Sequence, residues 1–151
     1  MREEKKESGL DRALEENDDV VKNVQSLAKS LAYLSSSLAL GYLTQEKILL
    51  KEGWENIFRE PEFKETEFVS DFMRFIESVE EEIGGIKVGS GVNIYIGREN
   101  PFYGGREFST MISKYQFPQE EVILALLGPK RMAYDENINF MNHLNKLFED
   151  F

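Results

Sequence analysis

From residue 20 onward, apolar residues recur at helical spacing: Val20, Val21, Val24, Leu27, Ala28, Leu31 and Leu34 share one face. The pattern predicts a helix from Asp18, with Asn17 or Asp18 capping its start and Ser35-Ser36-Ser37 ending it. The period then drops to two. Leu38, Leu40 and Tyr42 alternate with Ser37, Ala39 and Gly41, as in a strand buried on one side. Thr44-Gln45-Glu46 reads as a turn and Ile48-Leu49-Leu50 as a second short strand, so a hairpin is expected. Glu52 to Phe58 has a mixed pattern that suits a short helical turn. Glu60-Pro61 interrupts it, because the residue before proline is pushed out of helical geometry.

A second strong helix runs from about Glu65 to Glu82, with Phe68, Val69, Phe72, Met73, Phe75, Ile76, Val79 and Ile83 on one arc. The arc is wider than contact with a flat sheet requires. Part of it is therefore expected to meet another helix or a second subunit, which makes Phe68, Phe72, Phe75, Ile76 and Val79 candidate dimer contacts. Gly84-Gly85 is expected to close this helix in a left-handed cap. Val92, Ile94 and Ile96 then point one way, Asn93 and Tyr95 the other. After a loop from Arg98 to Arg106, Phe108 to Phe117 reads as a long strand and Pro118-Gln119-Glu120 as a turn. Val122 to Leu127 is apolar without alternation, as in a central strand buried on both faces, and Gly128-Pro129 is expected to stop it. A final helix from near Asp135 carries Phe140, Met141, Leu144, Leu147, Phe148 and Phe151 on one stripe. Residues 1–17 are mostly charged and read as a flexible arm or linker remnant, and 18–151 as one domain. The fold class is α+β: about five antiparallel strands with helices on one side, the first and last helices side by side.

Composition narrows the function more than the fold. The chain has 151 residues, enough for one domain with a packed interior. It has no cysteine, which removes disulfides and thiolate chemistry. Acidic residues outnumber basic ones 28 to 18, and the densest basic spots are only Lys5-Lys6 and Lys130-Arg131. Nucleic-acid binding by this chain alone is not expected, since phosphates call for clustered cations. No apolar run approaches the roughly 18 residues of a membrane span, and the first residues lack a signal-peptide core. A cytoplasmic location is expected. His143 is the single histidine, and Ser35-Ser36-Ser37 has no base beside it. Helical spacing spreads Glu77, Glu80, Glu81 and Glu82 over a solvated face, and Trp54 and Phe58 read as packing residues. The glycine-bearing loops lack the lysine and hydroxyl of a phosphate cradle. No catalytic residue, metal or cofactor is assigned.

Two short runs remain unexplained by folding alone: Gly97-Arg98-Glu99-Asn100-Pro101 and Gly128-Pro129-Lys130-Arg131-Met132-Ala133-Tyr134. Each ends an apolar strand with chain-breaking residues and then presents charge. Gly97 and Gly128 suit tight exits. Glu99 and Arg131, at matched places beyond neighbouring strand ends, are expected to form an ion pair, the alternative being two separate solvated charges.

With the earlier block Lys51 to Phe63, containing Gly53-Trp54-Glu55-Asn56-Ile57-Phe58 and Pro61, these runs resemble, in order, the C-terminal domain of the HrcA family of heat-shock repressors. The resemblance extends over residues 18 to 151, and it singles out Gly97, Glu99, Asn100, Pro101, Gly128, Pro129, Arg131, Met132 and Tyr134 as motif positions. It implies a GAF-like regulatory domain that forms homodimers. Operator DNA upstream of chaperone genes would be bound by an N-terminal winged helix that this chain lacks. It also implies a GroEL-type chaperonin as partner. The stretch between Leu40 and Ile48 is much shorter than in ordinary members. The alternative is a GAF-like small-molecule sensor, with a pocket lined by Val92–Ile96 and Phe108–Phe117 and Tyr95 or Tyr115 inside it.

Overall fold

Alternation along the strands sorts side chains onto two faces of one antiparallel sheet, and helices cover both. The structure, a computed structural model, describes residues 19–117 and 120–149, with side chains followed as far as Lys146. The expected arm over 1–17, the caps Asn17 and Asp18, Pro118-Gln119, and the side chains of Leu147, Phe148 and Phe151 lie outside the described residues. In chain order the elements are α1 (Val20–Ser35), β1 (Leu38–Leu43), β2 (Ile48–Glu52), α2 (Trp54–Ile57), a 3-10 turn (Pro61–Lys64), α3 (Thr66–Glu82), β3 (Asn93–Ile96), β4 (Phe108–Phe117), β5 (Glu120–Pro129) and α4 (Tyr134–Glu149). The five strands lie in the order β2-β1-β5-β4-β3, every neighbouring pair antiparallel. The expected α+β class with about five antiparallel strands is the one observed.

On one face Ala39, Leu43, Met111, Tyr115, Leu124 and Leu126 meet Val24, Leu27 and Leu31 of α1 and Phe140, Met141 and Leu144 of α4. On the other, Leu38, Leu40, Phe108, Ile112, Ile123 and Leu127 meet Phe72, Phe75, Ile76 and Val79 of α3. The first and last helices do share a face. The expectation of helices on one side only is corrected, for a physical reason: the three central strands are apolar on both faces, and each face needs cover.

Several local readings change with it. The cap of α1 is Asp19, whose carboxylate accepts the Val21 amide at 3.0 Å. Strand β1 is buried on both faces rather than one. Its small residues mark close contact with α1: a Cβ on Gly41 would lie 2.5 Å from Val24 Cγ1. Helix α3 ends in a 3-10 turn, Ile83–Gly85, and neither Gly84 nor Gly85 is left-handed. Strand β5 runs through Gly128 and Pro129, which pair with Ser109 and Phe108 instead of stopping the strand.

The wide apolar arc of α3 is used inside the chain. Phe75 stacks on Phe108 with centroids 5.2 Å apart, and Phe72 meets Phe108 and Phe63 edge-on at 5.1 and 4.9 Å. Phe72, Phe75, Ile76 and Val79 are buried, and Phe68 is half-buried against Phe63 and Phe108. These residues, expected as candidate dimer contacts, pack largely within the chain, in an aromatic cluster closing over β4 and the 3-10 turn.

Candidate interaction site at the motif-bearing end of the sheet

Strand register decides which loops meet. Leu38 pairs with Leu127, Phe108 with Pro129, Ile96 with Ser109, and Ala39 with Glu52. The start of β1, the end of β2, the end of β3, the start of β4 and the end of β5 therefore lie at one end of the sheet. All three motif blocks leave from that end, together with Ser36-Ser37.

Asn100 organises the loop between β3 and β4. Its Nδ2 donates to the carbonyls of Gly105 and Phe108 at 2.9 Å, with that of Gly97 at 3.2 Å, and its Oδ1 accepts from Thr110. One side chain thus joins the β3 exit to the β4 entry. Gly97 turns with φ 63, and a Cβ there would lie 3.1 Å from the Arg106 carbonyl and 3.3 Å from Lys130 Cε. The tight exit expected at Gly97 is observed. The one expected at Gly128 is not, since its φ is not positive. Gly128 instead leaves room for Ile57 and Met132, each 3.5 Å from the place of its absent Cβ.

Arg131 does not reach Glu99. Its guanidinium donates to Glu60 at 2.6 Å and to Glu62 at 2.9 Å, and no ion pair among the described residues joins it to Glu99. Both carboxylates flank Pro61, which the chain brings back beside the end of β5. The hydrogen bond from Arg131 lowers the Glu62 pKa below its ordinary 4.5, and the two carboxylates raise that of Arg131 further. Tyr134 donates to the Lys130 carbonyl, and Lys130 lies 3.7 Å from Glu107. The Ser109 hydroxyl is 2.8 Å from both the Pro129 carbonyl and the Met132 sulfur. Glu99 and Pro101 are exposed.

The structure therefore gathers the motif residues but gives Arg131 different partners from those expected. Glu60 and Glu62 are the residues the sequence reading missed, although two carboxylates bracketing a proline were a visible signal. Lys51 of β2 pairs with Glu80 of α3, so Glu80 is not merely a solvated charge. Tyr115 does not line a pocket between β3 and β4. It is buried under α4, its hydroxyl donating to the Met141 carbonyl at 3.1 Å, and burial raises its pKa. Among the described residues no group of three or more His, Cys, Asp or Glu could hold a metal, and no helix is long and apolar enough to cross a membrane.

Known proteins resemble the chain as follows. The family model described as the HrcA protein C terminal domain matches residues 1–138. A heat-inducible transcription repressor HrcA from Brevibacillus brevis is 27% identical over 128 residues, covering 83% of this chain and 36% of that protein. The repressor of the same name from Clostridium acetobutylicum is 33% identical over 89 residues, 58% of this chain and 26% of that protein. The matched part of the chain thus spans only 26% to 36% of the length of these relatives. A crystal structure described only as that of a hypothetical protein at 2.2 Å resolution superposes with a TM-score of 0.64 at 15% identity, covering 93% of this chain and 75% of that one. At that identity the likeness concerns the fold.

Proposed function

We propose that this chain, which belongs to the family of the HrcA protein C terminal domain, is the regulatory and dimer-forming body of a heat-inducible transcription repressor. The observation that carries the reading is the convergence of the three motif blocks. They meet at one end of the sheet, where Asn100 and Arg131 tie strand exits together without assembling a reactive centre.

In this reading the chain pairs two protomers, and base recognition belongs to a winged helix outside it. Pairing would set two such readers at the spacing of operator half-sites, one helical turn or a multiple apart. Dimer stability then governs DNA affinity, because losing one half-site contact forfeits the bivalent gain. The repressed genes would be those of chaperones, and a GroEL-type chaperonin would govern how much repressor is in the folded, active form. The aromatic cluster is inside the chain, so subunit contact would fall to exposed apolar groups such as Met73 of α3 and Tyr33 of α1. Sedimentation at concentrations well above micromolar is expected to give the mass of a dimer. A monomeric mass throughout that range would remove the pairing role.

A further inference from the structure

Helices α1 and α4 cover the same face of the sheet but are not held to it alike. Phe140, Met141 and Leu144 bury α4 there, and the buried Tyr115 of β4 donates a hydrogen bond to the Met141 carbonyl at 3.1 Å. Three observations weigh against those contacts. Asn137 shares the buried stripe of Phe140, Met141 and Leu144 and is 1% exposed, yet neither its Oδ1 nor its Nδ2 has a hydrogen-bond partner among the described residues. The cap position before α4 is Ala133. Its carbonyl accepts the first helical bond, from the Asn137 backbone amide, but its side chain has no oxygen to meet a free N–H. The seat is also narrow. Among the described residues α4 rests chiefly on β4 and α1, whereas α1, capped by Asp19, rests on β1, β2 and β5.

The carboxamide of Asn137 matters most. Water meets it when α4 is away from the sheet, and no described protein group meets it when α4 is docked. Docking therefore carries a desolvation cost that an apolar residue at this position would not. Asp135 and Glu136 in the first turn favour the helix through its dipole, but they do not offset that cost, since it arises on the opposite, buried face. Local opening begins where buried contact is least secure, and the chain freedom it releases makes the open fraction grow with temperature.

We propose that α4 opens first as the protein warms, ahead of α1 and the sheet, because docking leaves the Asn137 carboxamide unmet. The open state bares Met111 and Tyr115 on β4 while β1, β4 and β5 stay paired. Its link to heat induction rests on the repressor reading; the opening itself is a property of the fold and is measured on the chain alone.

Native-state hydrogen exchange of the full chain, at several temperatures and low denaturant concentrations, separates local from global opening. Amides of α4 are expected to exchange faster than those of α1 and β5, with a smaller denaturant dependence, and to do so well below the midpoint of global unfolding. Asn137→Leu, which keeps the stripe apolar at similar volume, is expected to slow α4 exchange about tenfold. Tyr115→Phe, which removes the bond to the Met141 carbonyl, is expected to speed it about threefold. Protection and denaturant dependence in α4 equal to those of α1 and β5 would overturn the proposal. So would α4 exchange that is unchanged or faster in a folded Asn137→Leu chain, or unchanged in Tyr115→Phe. A chain that opens in this way but does not govern repression would leave the opening standing and remove only the repressor reading.

Discussion

Arg131 shows how little an exposed charge reveals about its partner. Its motif position suggested a tie to Glu99 across strand ends, yet the tie runs to Glu60 and Glu62, which a proline-bracketed turn returns to the same end of the sheet. No periodicity reports that return, because it depends on where α2 and the 3-10 turn settle in three dimensions. Arg131 is 62% exposed on its side chain, so solvent screening limits the pair network to about 0.5–1 kcal/mol. The pH dependence follows from the lowered pKa of Glu62. The stability it contributes is fully present above the ordinary value of 4.5 and is lost as pH falls through its lower folded value. Denaturant melts of Arg131→Met and the parent are expected to differ at pH 7 and to converge in acid; a difference that persists in acid would exclude this linkage. Asn100 is the opposite case. Its amide serves carbonyls at both ends of the β3–β4 loop, and Asn100→Ala is expected to cost about 2 kcal/mol by the same measurement, since acceptors are left without a donor. The sequence marked Asn100 as a motif residue, but only the folded loop shows what it holds.

Among the elements, helices and strands were legible wherever one face is apolar and the other polar, as in α1 and α3. Sidedness was harder to read. In β1 the small residues Ala39 and Gly41 looked like a solvent face, whereas their size is what lets α1 approach. Gly41→Ala is expected to destabilise by about 1–3 kcal/mol by pushing α1 from the sheet, and Val24→Ala in the same chain should restore part of the loss. Thermal unfolding of the two variants checks this; no loss in Gly41→Ala would mean that α1 sits farther out. The aromatic arc of α3 was read correctly as too wide for a flat contact, but the surplus meets Phe63 and Phe108 of the same chain. Phe108→Ala, which removes a fully buried ring touching Phe68, Phe72 and Phe75, is expected to cost about 3–5 kcal/mol in chemical denaturation.

For the whole molecule, the sheet order is what turns scattered motifs into one site. Antiparallel pairing in the order β2-β1-β5-β4-β3 sends the β3 and β5 exits to the same end as the turn after β2. The five strands were legible from pattern alone, but their lateral order was not, so neither was the partnership of the first and third blocks. A formal charge of −10 belongs to this scale as well. It opposes approach to a polyanion, and the chain alone is expected to leave operator duplex unshifted in a mobility assay at physiological salt. The proposed role belongs to this scale: as the body of a heat-inducible repressor, the domain would help hold chaperone genes silent until heat relieves it. Its most direct test is the level of chaperone transcripts at ordinary growth temperature in cells whose copy of this gene is disrupted. The account predicts a marked rise without heat, reversed when the gene is returned; transcripts unchanged by the disruption would contradict it.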